Sequence, residues 1–321
     1  MMLKTATKVE VDPINQLLTS SSQDDDLSKE RTLLEWYPDR PLLVRCLMDI
    51  LHRPRSPKRI FMMPQLCFGT VQANLETTLP MAIKIGYRHF DGADGYAHND
   101  VNYLKILREN LARLPRDEYW LTWKSNDITL DNIQRVLKEL DCGYIDLFLK
   151  HHGCGVAEEF DVLQEAVNFG LIRYYGVSNC EDIKQLKKLK AKYPLYANQV
   201  QARPPHGEVD GRKKINFQKF VLQCNALGIR IMLFASVSGL MMAPQGYIMV
   251  DRINRVNHYY IQKYILTVPP TENVLIVSSI RGSSLLVNYQ EFERFERKQQ
   301  QQKQQMMELQ RALSAVKLHH M

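Results

Sequence analysis

Four residue types that together could move a proton fall within a short span of the chain. Asp91 and Tyr96 lie in FDGADGY (90–96), Lys124 in the apolar run YWLTWKS (119–125), and His151 and His152 close DLFLKHH (146–152). Singly, each has a plain explanation: Asp91 can cap a turn, Tyr96 can pack with its hydroxyl in water, and a histidine can sit satisfied in a core. Lys124 is harder to dismiss, because an unpaired ammonium at an apolar strand end is costly, and Asp91 is the natural acid to pair with it. A tyrosine of unperturbed pKa, about 10, is a poor donor at neutral pH. A neighbouring Lys⁺ favours the phenolate, so Lys124 is expected to lower that pKa and make Tyr96 a usable acid or base. Asp91 would keep Lys124 charged and oriented, and a histidine could hold a carbonyl oxygen by a hydrogen bond. Proton delivery to a carbonyl oxygen is half of a reduction. The hydride half has no side-chain source, which implies a nicotinamide cofactor.

Such a set works only if the chain gathers it. From residue 65 the sequence alternates short apolar runs with amphipathic segments. The runs are 65–70, 87–93, 119–125, 144–152, 172–179, 196–202, 229–236 and 273–279. Helical spacing marks Leu75–Ile85, Asn99–Leu111, Leu130–Leu140, Ala157–Phe169, Glu181–Tyr193, Asn216–Ala226 and Ile253–Leu266. The runs are nearly continuous in apolar residues, as parallel strands covered on both faces should be. Eight of them with helices between indicate a (β/α)8 TIM barrel. An open doubly wound sheet competes, but no GxGxxG follows the first strand. In a βα barrel, side chains at the C-terminal strand ends face one mouth. Asp91 at the end of the second strand, Tyr96 in the loop just after it, Lys124 at the end of the third, His151 of the fourth, Ser178 and Asn179 of the fifth, and Gln199 in the sixth therefore converge there.

The remaining sequence bounds what surrounds that barrel. At 321 residues, 45% hydrophobic and 24% charged, the composition is that of an ordinary globular protein. No apolar run is long enough to span a membrane, and the N-terminus lacks the apolar core of a secretory signal, so a cytoplasmic protein is expected. The net charge of +7 is dispersed apart from KQLKKLKAK (184–192) and HRPRSPKR (52–59), so nucleic-acid binding is not expected. Six scattered cysteines without a CxxC pair read as reduced thiols, with neither a disulfide framework nor a metal site. Residues 1–62 form an N-terminal extension, polar at first, with a short amphipathic helix at Pro41–His52. The barrel occupies 63–298. A Gln-rich joint and a C-terminal helical tail with a Met306, Leu309, Leu313, Val316 stripe fill 299–321. Such stripes usually pack on their own domain, and a protein partner for either extension is the other use.

At these residues the chain resembles the aldo-keto reductases, a (β/α)8 family that uses NADP(H) without a Rossmann motif. MPQLCFGT (63–70) resembles the family's opening strand, with Cys67 where glycine is usual. GYRHFDGADGY (86–96) resembles the signature holding the catalytic Asp and Tyr, LTWKS the lysine, and YIDLFLKH the histidine, which selects His151 over His152. GLIRYYGVSN (170–179) and NQVQARP (198–204) resemble the segments whose Ser, Asn and Gln hold the nicotinamide carboxamide, here Ser178, Asn179 and Gln199. The resemblance implies reduction of a small aldehyde or ketone, with NADP(H) as cofactor and NAD(H) as the alternative. Departures lie on the cofactor side. Phe234 replaces the stacking tyrosine. In SSIRGSSLLVN, Ser278 stands where a lysine is common and Ser284 where an arginine grips the 2′-phosphate, with Arg281 and Ser279 left to serve. The loop GLMMAPQGY lacks the usual charges, and glutamines replace the substrate-covering tail. These departures motivate a second reading: a reductase-like barrel, catalytically weakened or inactive, that acts as an interaction or regulatory protein.

Overall fold

The computed structural model describes residues 62–71, 75–98, 101–201, 217–234 and 274–277, and parts of 289–311. Eight parallel strands close into a barrel in chain order: β1 (Leu66–Gly69), β2 (His89–Ala93), β3 (Trp120–Ser125), β4 (Ile145–Lys150), β5 (Ile172–Ser178), β6 (Ala197–Gln201), β7 (Arg230–Phe234) and β8 (Val274–Val277). β8 pairs back onto β1, with Leu66 opposite Leu275, which excludes the open sheet. The helices are α1 (Leu75–Ile85), α2 (Tyr103–Leu111), α3 (Leu130–Leu140), α4 (Ala157–Asn168), α5 (Ile183–Lys192) and α6 (Phe217–Ala226). The (β/α)8 expectation is therefore met. The helices expected at Pro41–His52 and Ile253–Leu266 lie outside the described residues.

Local chemistry sets the helix ends. α3 begins where the Thr129 hydroxyl accepts the Asn132 N–H at 3.2 Å and stops where Asp141 turns left-handed at φ 50°. Its Ile133, Val136, Leu137 and Leu140 form the buried stripe. In α5 the Asp182 carboxylate accepts from the Lys184 and Gln185 N–H groups at 2.8 and 3.1 Å. Leu186 and Leu189 face inward there, and Lys184, Lys187 and Lys188 face solvent. Residues 304–311 are helical and exposed, Met306 and Leu309 included.

Two apolar layers hold the barrel. Outward-facing Phe90, Leu121, Trp123, Phe148, Val177, Val200 and Leu233 join the helix stripes in one cluster. A second cluster fills the interior with Cys67, Trp120, Leu147, Leu149, Ala197 and Met232. Along each strand the two sets alternate with the period of a pleated strand. That alternation puts His89, Asp91 and Ala93 of β2, Trp120, Thr122 and Lys124 of β3, and Arg230, Met232 and Phe234 of β7 on the inner face.

The barrel floor is aromatic and cationic. Trp120 stacks against Tyr174 and Tyr196 at centroid separations of 5.8 and 5.9 Å, and Arg230 lies 4.1 Å from the Tyr196 centroid. His89 is buried between the Pro64 carbonyl and the Thr122 hydroxyl, 2.9 Å from each, and burial lowers its pKa to about 3. Glycines appear where strands need room. A Cβ on Gly92 would sit 2.6 Å from the Trp123 ring, and one on Gly176 would strike the Ala197 carbonyl. Among the described residues no helix is long and apolar enough to cross a membrane, and no cluster of three metal-ligating side chains occurs.

Candidate active site

The mouth of the barrel is built around an ion pair closed off from water. Lys124 Nζ donates to Asp91 Oδ2 at 2.5 Å and to the Gly92 carbonyl at 3.2 Å. The other carboxylate oxygen of Asp91 accepts from Gln199 Nε2 at 2.7 Å, across the barrel interior. The two charged side chains are only 1% and 3% exposed. Asp91 occupies the middle of β2 rather than its end, which sets it deeper than its motif alone suggests. Burial opposes the Lys124 charge, but Asp91 and then Tyr96 outweigh it, so its pKa is raised and the ammonium stays charged. Burial, followed by the Asp91 charge, pushes the nearby Cys67 thiol up, keeping it neutral.

Tyr96 stands above this pair, in the 3-10 turn Asp94–His98 that follows β2. Lys124 Nζ lies 5.1 Å from its ring centroid, and the ring meets Tyr103 and His151 edge-on at 6.0 and 6.2 Å. The pKa expectation is corrected here. Burial raises the phenol above its ordinary value, and the lowering by Lys124 offsets only part of that rise. The phenol is therefore held protonated, as a donor rather than a base. The Lys124 charge nonetheless favours the phenolate over the phenol.

His151 follows β4 directly, its backbone N–H donating to the Ser125 carbonyl at 2.8 Å. Burial, then the Lys124 and His152 charges, lower its pKa to about 4, so the ring is neutral and donates one N–H. His152 stacks on it at 4.2 Å and turns its Nδ1 to Asn126, 2.9 Å away.

On the β5–β6 side, Ser178 donates to the Gln199 carbonyl at 3.1 Å. Asn179 sits at φ 59°, a left-handed conformation that asparagine tolerates, and sends its Nδ2 to the His151 carbonyl at 3.1 Å. Among the described residues, no hydrogen bond reaches Asn179 Oδ1 or Gln199 Oε1. Two amide acceptors beside the Ser178 hydroxyl suit a primary carboxamide, whose amine needs acceptors. Phe234, the last residue of β7, is half-buried against the inner apolar cluster. Ser278, Ser279, Arg281 and Ser284, and the loop GLMMAPQGY, lie outside the described residues.

Two features went unread in the sequence. Cys154, after β4, and Cys180, after β5, are joined in a disulfide with Cα atoms 4.6 Å apart, which corrects the expectation of uniformly reduced thiols. The physical reason is topological: consecutive strand ends lie side by side at the mouth, so cysteines just beyond each can meet. Cys67, Cys142 and Cys224 are free and buried, and Cys46 lies outside the described residues. The second feature is a set of polar supports. Thr70 donates to the Asp91 carbonyl at 2.7 Å and pairs with the Tyr103 hydroxyl at 2.6 Å. Buried Asn132 on α3 donates to Ser125 Oγ, the Asp127 carbonyl and Asp94 Oδ2 at 3.0, 2.9 and 3.0 Å.

Comparison with known proteins bears on the fold and the family. The model of the Aldo/keto reductase family matches residues 65–255, more than half of the chain. An uncharacterized oxidoreductase of Schizosaccharomyces pombe is 31% identical over 187 residues, 54% of this chain and 64% of that protein. NADPH-dependent codeinone reductase 1-4 of Papaver somniferum is 28% identical over 178 residues, 44% of this chain and 55% of that protein. The match with these curated relatives thus spans between half and two thirds of their length. An aldo-keto reductase of Bombyx mori, solved in complex with NADP, superposes with a TM-score of 0.56 at 20% identity, over 72% of this chain and 84% of its own, a likeness of fold alone. With a family match over most of the barrel and the motifs gathered at its mouth, the chain belongs to the aldo/keto reductase family.

Proposed function

We propose that this protein reduces a small aldehyde or ketone to an alcohol, using NADPH, with Tyr96 as proton donor. The observation that carries the reading is the enclosed Asp91–Lys124 pair beneath a protonated tyrosine. A fully desolvated ion pair is a poor way to stabilise a fold. It is a good way to hold a charge where a phenolate will form. The NADP-bound Bombyx mori structure and the NADPH-dependent Papaver relative support the choice of cofactor.

The residues divide the work. A nicotinamide held at the mouth would supply the hydride for the carbonyl carbon. Ser178, Asn179 and Gln199 would hold its carboxamide, and Phe234 would offer an aromatic face beside it. Neutral His151 donates its N–H to the substrate carbonyl oxygen and fixes the oxygen's position. Tyr96 gives its proton to that oxygen. Lys124 stabilises the resulting phenolate, and Asp91 keeps Lys124 charged and aimed. Gln199 serves both sides, since its Nε2 already holds Asp91. Ser278, Ser279, Ser284 and Arg281 are the groups assigned to the cofactor phosphate from the sequence, with Arg281 the cation among them.

Carbonyl-dependent oxidation of NADPH by the purified chain, with a panel of small aldehydes and ketones, tests the reading. Turnover above the protein-free rate is expected. No turnover with either NADPH or NADH overturns it. In the same assay, Arg281→Ala is expected to raise the KM for NADPH and leave that for NADH unchanged.

A further inference from the structure

We propose that Asp94 is the positioning residue for Tyr96, acting as the anchor of the turn that carries it. The inference rests on the reading of Tyr96 as proton donor. Asp91, Lys124 and His151 lie on or directly beside strands, whereas Tyr96 lies on a five-residue 3-10 turn beyond β2. A Cβ added at its neighbour Gly95 would meet nothing within 4 Å, and its ring is met edge-on by Tyr103 and His151 and faces the Lys124 ammonium 5.1 Å from its centroid. The turn that carries the phenol is held by a contact of its own.

Asp94 provides that contact. Its Oδ1 accepts from Trp123 Nε1 at 3.1 Å and from Arg135 at 3.0 Å, and its Oδ2 accepts from Asn132 Nδ2 at 3.0 Å. Trp123 directly precedes Lys124 on β3, so the first bond ties the Tyr96 turn to the lysine's own strand. Asn132 also binds Ser125 Oγ at 3.0 Å, and the Ser125 carbonyl receives the His151 backbone N–H at 2.8 Å. One carboxylate thereby couples the three strand ends that hold Tyr96, Lys124 and His151. Arg135 is held for its part by Glu139 at 2.8 Å and by Asn132 Oδ1 at 2.7 Å.

A plainer role for Asp94 would be an exposed ion pair with Arg135, and such pairs contribute little. The bonds from Trp123 and Asn132 go beyond it, because both donors are buried residues. The absence of a Cβ on Gly92 has the same consequence, since it lets β2 lie against the Trp123 ring.

The test is a double-mutant cycle between Asp94→Ala and Tyr96→Phe, read in kcat. A misplacement on the order of 1 Å can cost about 100-fold, so Asp94→Ala is expected to lower kcat roughly 10- to 100-fold with the NADPH KM within about twofold. Arg135→Ala, which leaves the other two bonds, is expected to lower kcat by about 2- to 5-fold. In the Tyr96→Phe background Asp94→Ala is expected to cost nothing further, because its effect passes through the phenol. Equal losses in both backgrounds, or an unchanged kcat in the single variant, overturn the proposal. Hydrogen exchange supplies a readout free of turnover: faster exchange over residues 91–98 in Asp94→Ala, with α1 and α4 unchanged, is expected, and unchanged exchange there overturns the anchor. A wild-type chain without turnover would sink the functional reading, and the exchange experiment would still decide the anchor.

Discussion

Two buried carboxylates, Asp91 at the mouth and Asp146 near the start of β4, show how differently one chemistry can be used. Both are almost fully enclosed, at 2% and 1% exposure. Asp146 is held by Arg116 at 2.6 Å, Arg173 at 3.0 Å and the Leu121 N–H at 2.9 Å. Its cations reach water: the Arg116 and Arg173 side chains are 19% and 43% exposed, and both lie over the Tyr144 ring. Arg116 is further tied to the Cys142 and Tyr119 carbonyls, each at 2.9 Å. Asp91 has the opposite arrangement, with Lys124, its single cation among the described residues, at 1% exposure inside the barrel. Desolvating both members of a pair costs several kcal/mol per ion. A snorkelling arginine avoids most of that cost. The cheaper arrangement serves the fold. The costlier one persists where a reaction can use an enclosed charge.

The largest effect should come from breaking the mouth pair. Lys124→Met is expected to lower kcat about 10²- to 10⁴-fold. It should also destabilise the fold by roughly 3–5 kcal/mol, because Asp91 is left alone in the barrel. Adding Asp91→Asn should restore stability in urea unfolding and leave turnover low. That split would show the pair to be kept for chemistry.

The mouth also carries the Cys154–Cys180 link, which closes a separation of 26 residues between the segments after β4 and β5. Reduction, or Cys154→Ser, is expected to cost about 3 kcal/mol by loop-closure entropy. It should weaken NADPH binding, because Ser178 and Asn179 directly precede Cys180. Thiol titration of the denatured chain before and after reduction should differ by two groups. No difference would remove the link.

Asp146→Asn sharpens the contrast from the other side. A loss of about 1–3 kcal/mol is expected, with kcat within about twofold of wild type. A large fall in kcat would mean that the two carboxylates are not distinct in kind.

The buried His89 and the half-buried His151 give the smallest and most graded effect. His151 titrates at about 4 and His89 at about 3, both lowered from 6.5 by burial. A neutral folded histidine adds nothing to pH dependence above its unfolded pKa. As pH falls from 6.5 toward those values the unfolded chain takes up protons first, so stability drops across that window. Thermal melts should show the drop, and His89→Gln should flatten it without altering kcat. Turnover should fall as His151 becomes charged near pH 4, where its N–H donor role changes.

Much of this was legible beforehand. α1 and α3 occupy Leu75–Ile85 and Leu130–Leu140 as their apolar spacing indicates, and all eight strands fall within the runs read as such. Asp91, Tyr96, Lys124 and His151 come together because barrel topology puts consecutive strand ends at one mouth. The Asp94–Asn132–Trp123 support escaped notice because hydrogen bonds between residues 29 and 38 apart leave no periodic mark. The direction of the Tyr96 shift depends on how deeply the phenol is buried, a quantity that residue type does not carry. The cysteine pair did leave a signal, since each lies just past one of two consecutive strands, but that signal is positional rather than a motif.

Single-turnover reduction by Tyr96→Phe, compared with wild type at saturating NADPH, addresses the proton donor most directly. A fall of about 10²- to 10⁴-fold in the rate, with the NADPH Kd within about twofold, is expected for a positioned general acid. An unchanged rate would contradict the assignment of Tyr96 and, with it, the role given to the enclosed Asp91–Lys124 pair.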